Sequence, residues 1–174
     1  LYTARVIKGV RVQESPDWLK RRLEAIGLIP RNTLVDATNF VLFELGQPTH
    51  VFDLAKLAGT TVTIRYAAEG EQLLPIGDGA QPLKLHRDDL VIADANGPLA
   101  LAGVKGGEPT AVTDSTRDIL LEAATFDPVI VRKTSRRHNV ASDSSYRFER
   151  GVHAADINHA AERLASLIIE LSGG

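Results

Sequence analysis

Cysteine is absent from the 174 residues, which excludes disulfides, cysteine-based zinc sites and a thiol nucleophile, and is compatible with the cytosol. No apolar run approaches the roughly 20 residues of a bilayer span, and no basic-then-apolar segment marks export. These absences read as a cytoplasmic chain without membrane association. An excess of one charge is lacking as well: the net charge is −2, so any contact with nucleic acid must be local or supplied by another domain. No Ser-His-Asp order, zinc motif or HExxH occurs, no ATP-binding motif is visible, and there is no internal repeat or low-complexity tract. No metal site is expected.

What is present is 44% hydrophobic and 24% charged residues, the composition of an ordinary globular protein. This length fits one domain, or two merged lobes, and can bury roughly 70% of its unfolded surface. The start at Leu1 without Met and the Gly173-Gly174 end read as a single domain, residues 1–174, cut from a longer chain.

Alternation from Tyr2 to Val12 predicts a strand, with Gly9 fitting a bulge. Ser15-Pro16-Asp17 predicts an N-cap, a first-turn proline and an early acid for a helix to about Ile26, with Leu19, Leu23 and Ile26 on one face. Leu34 to Ala37 reads as a short buried strand, Thr38 as the cap of a helix through Leu45, and Gly46 to Asp53 as an ordered loop because Pro48 disfavours helix. A short helix is expected from Asp53 to Gly59. Strands follow at Thr60 to Ala67, Glu71 to Ile76, Leu83 to His86, Leu90 to Ala93 and Pro98 to Ala102, with Asn96-Gly97 as a tight turn. Asp118 to Phe126 is a strongly apolar strand. Asp127-Pro128 opens a helix through about Arg137, and the last helix runs from about Ala155 to Leu171 with Ile157, Ala161, Leu164, Ile168 and Leu171 as its packing stripe. Close-spaced short strands mean antiparallel sheet, so the expected class is α+β.

Four features carry chemistry. Glu122 lies among Leu120, Leu121, Ala123 and Ala124, where a carboxylate costs several kcal/mol unless paired or hydrogen-bonded. It either pairs with an arginine or accepts a hydrogen bond from a ligand hydroxyl. His50, in GQPTHVFD, reads on chemistry alone more readily as a structural hydrogen-bonder than as a site residue. Gly103, Gly106 and Gly107 do not form a phosphate loop, since no GK[ST] follows; the paired glycines read as close backbone approach to a strand or a ligand. Between Arg132 and Arg150, the six cations Arg132, Lys133, Arg136, Arg137, Arg147 and Arg150 face only Asp143 and Glu149. They surround the hydroxyls of Ser142, Ser144, Ser145 and Tyr146. That surplus suits an anionic ligand with sugar or ester oxygens, although on composition alone such a run is more often a solvated face.

The stretch RRHNVASDSSYRFERG resembles the RRHGLxTDASxRFERG segment of the bacterial phenylalanyl-tRNA synthetase β subunit, in the B3/B4 module that carries that enzyme's editing site. VDATNFVLFELGQPTHVFD, DLVIADANGPLALAGVKGGE and ILLEAATF match in the family's order, so the resemblance covers effectively the whole chain. It implies a layered sandwich of antiparallel sheets with helices covering one side. It also implies hydrolysis of the ester of tyrosine mischarged onto phenylalanine tRNA. Carried over by the resemblance, the pocket is His50, Gly106, Glu122, Ser142 and Ser144. Glu122 recognises the para-hydroxyl of tyrosine, a large side chain at Gly106 plugs the site, and His50 orients water or substrate. Arg136, Arg137 and Arg147 are expected RNA contacts. Ser142 stands where Thr is usual, Ser144 where Ala is usual, and Ile29 where some members carry a pocket Arg. These departures keep open a structural or tRNA-contact module without hydrolysis, and a free-standing aminoacyl-ester hydrolase remains a third reading. The implied partners are the acceptor end of phenylalanine tRNA, the synthetase α subunit and the other β-subunit domains in a heterotetramer. Editing needs no cofactor, and the synthetase's ATP and Mg2+ are expected outside this domain.

Overall fold

In a computed structural model describing residues 1–174, nine strands and five helices follow in order. They are β1 (Tyr2–Lys8), α1 (Asp17–Ala25), α2 (Thr33–Leu45), β2 (Thr49–Asp53), β3 (Thr63–Tyr66), β4 (Gln72–Leu73), β5 (Leu83–Lys84), β6 (Leu90–Asp94), β7 (Gly97–Leu101) and β8 (Lys105–Gly106). After these come β9 (Asp118–Ala124), α3 (Pro128–His138), α4 (Asp143–Phe148) and α5 (Ile157–Ser172). All strand pairs are antiparallel, so the class is α+β. The chain divides into two compact units, one of Leu1–Ala55, Val112–Ala124 and His153–Gly174, the other of Lys56–Ala111 and Thr125–Val152. No helix is long and apolar enough to cross a membrane.

The first unit is a three-stranded sheet in the order β1-β9-β2. Because side chains alternate along a strand, β9 turns Ile119, Leu121 and Ala123 to one face and Leu120, Glu122 and Ala124 to the other. The first set joins Ile7 and Val51 in a core with Leu19 and Leu23 of α1, Leu34, Ala37 and Val41 of α2, and Ile157, Ala160, Ala161, Leu164, Leu167 and Ile168 of α5. The α5 stripe is thus wider than expected: Ala160 and Leu167 belong to it and Leu171 lies at its margin. Each leucine, isoleucine or valine of this set contributes about 1.5–3 kcal/mol by leaving water.

Several expected boundaries shift for local physical reasons. Leu34–Ala37 is the first turn of α2, not a strand. Asn32 caps that helix, its side-chain oxygen accepting from the Leu34 and Val35 amides at 3.1 and 3.0 Å, and Leu34, Ala37 and Val41 fall on one helical face. Thr38, expected as the cap, donates its hydroxyl back to the Val35 carbonyl at 2.7 Å within the helix. At α1, Pro16 occupies the cap position without a side-chain bond, and the Ser15 hydroxyl donates instead to Asp36 Oδ2 at 2.6 Å. Ile26, expected on the buried face, lies past the helix end and is 48% exposed. Gly9 ends β1 in a left-handed conformation and is not a bulge. The expected Asp53–Gly59 helix is one 3-10 turn, Leu54–Lys56. The loop expected over Gly46–Asp53 is β2 from Thr49 onward, since Pro48 directs the chain into extended backbone and β9 offers it an edge.

The second unit holds a four-stranded sheet in the order β3-β6-β7-β8, the two-stranded β4-β5 sheet, and the helices α3 and α4. Asp127 caps α3 through the Val129 and Ile130 amides, with Pro128 in the first turn. In the β6–β7 hairpin Asp94 pairs with Gly97, so the turn residues are Ala95 and Asn96, one position earlier than expected.

Candidate functional site

The register of the first sheet places His50 of β2 directly across from Glu122 of β9, and Ala4 of β1 across from Glu122 on its other side. Tyr2, two residues before Ala4, shares that face and lies diagonal to the carboxyl, a relation within reach of an aromatic side chain. Phe52 adjoins His50 edge to face, with ring centroids 4.5 Å apart. One side of the sheet therefore carries a phenol, a carboxyl and an imidazole in a row, opposite the face that packs on the helices.

Glu122 is 6% exposed. Its Oε2, the Tyr2 hydroxyl and His50 Nε2 are all buried without a well-formed hydrogen bond. Burial pushes the Glu122 carboxyl up to about 8, with a loose contact from the Tyr2 hydroxyl pulling the other way. Burial also pushes the His50 imidazole down to about 4. At neutral pH the pair is thus largely a neutral acid facing a neutral base. Such an acid can both donate and accept, and the imidazole keeps one nitrogen free to accept. No arginine pairs with Glu122; the structural partnership weighed from its sequence context does not form.

The remaining expected site residues lie in the second unit. Gly106 pairs with Ala100 across β7 and β8, and its carbonyl accepts from the Ile76 amide at 2.9 Å. Ser142 caps α4: its Oγ accepts from the Ser145 amide at 3.0 Å and donates to the Val104 carbonyl at 2.7 Å. The Ser145 hydroxyl closes the box by accepting from the Ser142 amide at 2.9 Å. Two hydroxyls of the supposed ligand centre are thus engaged in holding α4 against the glycine-bearing segment. Ser144 is half-buried in the first turn of α4. Ile29 is 74% exposed in the first unit.

The cations divide into two groups. Arg137 donates to the fully buried Asp89 carboxylate, which also accepts from His138 Nε2 at 2.6 Å, Thr134 Oγ1 at 3.1 Å and the His86 amide at 2.8 Å. Burial alone would raise Asp89, but the bonds from His138 and His86 and the neighbouring charges of His138 and Arg137 outweigh it and hold the carboxyl below its usual range. Arg147 binds Asp143, and Arg150 lies 3.5 Å from the Tyr146 ring centroid and pairs with Glu149. Arg132, Lys133 and Arg136 instead line an open groove of about 340 Å³ with Pro128, Val129 and Glu149. Spacing at i, i+3, i+4 and i+7 puts Val129, Arg132, Lys133 and Arg136 on one outward face of α3. No group of three or more His, Asp or Glu side chains is arranged to hold a metal ion.

Tyr2 is the functional candidate that sequence reasoning passed over; Arg132, Lys133 and Arg136 were counted in the cation surplus, without their shared groove on α3. A strand assignment for Tyr2 was legible, but not its register against Glu122. The helical spacing of the three cations was.

A family model described as the B3/4 domain matches residues 1–173. The phenylalanine–tRNA ligase beta subunit of Chlorobaculum tepidum is 49% identical over 173 residues, covering 99% of this chain and 21% of that protein. Those of Porphyromonas gingivalis, at 49% over 174 residues, and Fusobacterium nucleatum, at 48% over 173, give the same coverage. The chain thus spans about a fifth of the length of these relatives. Among solved structures, an N-terminal fragment of the phenylalanyl-tRNA synthetase beta-subunit from Pyrococcus horikoshii matches with a TM-score of 0.52 at 13% identity, covering 81% of this chain and 46% of that one. At that identity the likeness concerns the fold.

Proposed function

This chain belongs to the B3/4 domain family, and from that premise we propose that it is the editing module of a phenylalanine–tRNA ligase β subunit, hydrolysing tyrosine from mischarged phenylalanine tRNA in the cytoplasm. The observation that supports this most is the buried Glu122 carboxyl with an unpartnered Oε2. An apolar pocket made for phenylalanine cannot strongly exclude a ligand that merely adds a hydroxyl. A second pocket that must hydrogen-bond the hydroxyl sorts in reverse, by as much as ~10⁴-fold. Phenylalanine beside Glu122 leaves the carboxyl unsatisfied; the phenol of tyrosine donates to it.

In the reaction a water adds to the ester carbonyl and the bond to the tRNA 3′ oxygen breaks. The tRNA 3′ oxygen takes one proton of that water to become a hydroxyl, the other proton passes to solvent, and tyrosine departs as its carboxylate. His50, neutral and with Nε2 unpartnered, accepts a hydrogen bond from the attacking water and orients it. Preorganised positioning suffices for an ester that is already activated. The family resemblance is what supports a ligand role for Gly106, Ser142 and Ser144 and an acceptor-end contact for Arg136 and Arg147, all of which lie in the second unit. The α subunit, the remaining β-subunit domains, and the ATP and Mg2+ of aminoacylation belong to the complete enzyme outside this chain.

The test is release of tyrosine and phenylalanine from charged phenylalanine tRNA by the complete enzyme, wild type against Glu122→Ala. Preferential tyrosine release that collapses in the variant supports editing. No release by wild type removes it. The cationic groove on α3 favours one second reading, an RNA-contact module without hydrolysis. In that case charge reversal at Arg132 and Arg136 weakens tRNA binding while wild type releases neither amino acid.

A further inference from the structure

Tyr2 is half-buried, with a buried titratable hydroxyl that has no part in the mechanism above. Its ring starts from β1, two residues from Ala4, whose methyl group is all that β1 places directly across from Glu122. The small residue leaves the flank of the carboxyl to the diagonal neighbour. There, two complementary polar atoms, the Tyr2 hydroxyl and Glu122 Oε2, are both buried and neither has a well-formed bond elsewhere. Burial and then the neighbouring Glu122 make the phenol harder to ionise, and the contact lowers Glu122 in return. The two side chains therefore feel each other without locking together. A purely structural tyrosine would bury its ring and satisfy its hydroxyl. Here the hydroxyl is buried and unbonded on the strand position diagonal to the one carboxyl that the proposed function assigns to a ligand phenol.

We infer that Tyr2 is a specificity-determining residue of this site: its phenol is a resident competitor for Glu122, which an incoming phenolic ligand must displace. This rests on the proposed function, since it concerns the same carboxyl. Its consequence is opposite in sign to that of an ordinary supporting residue. When a ligand without a hydroxyl occupies the site, the resident phenol still offers Glu122 a partner and softens the penalty for the wrong ligand. When the ligand carries a hydroxyl, the resident phenol must yield and binding weakens. Tyr2 thus reduces discrimination and keeps the carboxyl from standing wholly unpaired in the empty site.

The decisive comparison is Tyr2→Phe, which keeps the ring and deletes the hydroxyl, with Tyr2→Leu as a second variant. The readout is the ratio of affinities for p-cresol and toluene, measured by ligand-observed NMR, alongside the ratio of tyrosine to phenylalanine release from charged tRNA by the complete enzyme. Removing one competing hydroxyl should raise both ratios by about 2- to 10-fold. Ratios that stay the same or fall in Tyr2→Phe, while wild type prefers the phenol, overturn the competitor role and leave the editing reading intact. A wild type that binds p-cresol and toluene alike, unchanged by Glu122→Ala, overturns the editing reading and this inference together. Loss of fold in either variant would show as a lowered melting temperature and loss of affinity for both probes, not as a changed ratio. Tyr2→Phe and Tyr2→Leu moving the ratio in opposite directions would also overturn the inference, since both delete the same hydroxyl.

Discussion

His50 and Glu122 face each other across β2 and β9, and burial drives their proton affinities in opposite directions, the imidazole down to about 4 and the carboxyl up to about 8. Each group thereby avoids carrying a charge in a place that solvates charge poorly. The order of an ordinary acid and base is inverted: the carboxyl holds its proton at a pH where the imidazole has already lost its own.

That inversion predicts the pH dependence of stability. The folded chain holds the Glu122 proton more tightly than the unfolded chain does. Its contribution is therefore complete below the ordinary value of 4.5 and is lost as pH rises towards about 8. His50 behaves oppositely: its contribution is complete above the ordinary 6.5 and is lost as pH falls towards about 4. Each slope is at most about 1.4 kcal/mol per pH unit, and the two oppose each other between 4.5 and 6.5. Melting temperature against pH should show Glu122→Gln gaining on wild type as pH rises above about 4.5 and levelling past about 8. His50→Gln should gain as pH falls below about 6.5. Parallel curves for all three proteins would contradict the assigned inversion.

The same neutral imidazole sets an expectation for catalysis. A histidine that has shed its proton well below its ordinary value does not switch state across the physiological range. The profile of kcat/KM for tyrosine release should therefore show no inflection near pH 6.5. Replacing His50 with Ala should lower the rate about 10²-fold, the low end for a positioned proton acceptor. Unchanged deacylation in that variant would remove His50 from the chemistry.

Legibility in the sequence followed how local each determinant is. Asp127-Pro128 announces α3 because cap and first turn are neighbours in sequence. The α5 stripe is long enough for its period to be read. Glu122 stood out because a carboxyl in an apolar run is anomalous whatever the fold. The first turn of α2 was misread because four apolar residues cannot distinguish a strand from a helix, and its cap, Asn32, lies just ahead of them. β2 exists because β9 pairs with it, a partner about seventy residues away along the chain, estimated from the His50–Glu122 register. The engagement of Arg137 was not legible because its partner, Asp89, is remote in sequence. Nor was the capping role of Ser142 and Ser145 legible, since the N3 member of their capping box is Ser where the familiar pattern has Glu or Gln.

Ser142 offers a separation of structural from chemical roles. Its Oγ both accepts from the Ser145 amide and donates to Val104. Ser142→Ala should therefore cost about 1 kcal/mol through the lost cap, or roughly 2–4 °C in melting temperature. Ser142→Thr keeps the hydroxyl and should stay within about 0.5 kcal/mol of wild type. If thermal melting finds Thr as damaging as Ala, the added methyl group and not the cap governs this position.

Gly103 and Gly107 stand four residues apart and are glycines for different reasons, which a pair of double mutants can expose. Gly103 has φ of +72°, and a Cβ there would meet Val131 Cγ2 at 2.9 Å, Phe126 Cδ2 at 3.0 Å and Phe148 Cδ2 at 3.1 Å. Alanine thus incurs a backbone cost of about 1–2 kcal/mol and an overpacking cost of about 1–3 kcal/mol. Gly107 has ordinary extended backbone, but its Cβ would press on the Leu99 carbonyl, to which its own amide donates at 2.7 Å, and would lie 2.8 Å from Leu73 Cδ1. Trimming Val131 to Ala in the Gly103→Ala background should therefore relieve only the packing part, because the left-handed φ persists. Trimming Leu73 to Ala in the Gly107→Ala background should relieve almost nothing, because the obstructing atom is backbone. Chemical denaturation of wild type, the four single variants and the two double variants measures both coupling energies. A large rescue at Gly107 would mean that the β7–β8 region can move aside, and that the close approach at this glycine pair is not rigid.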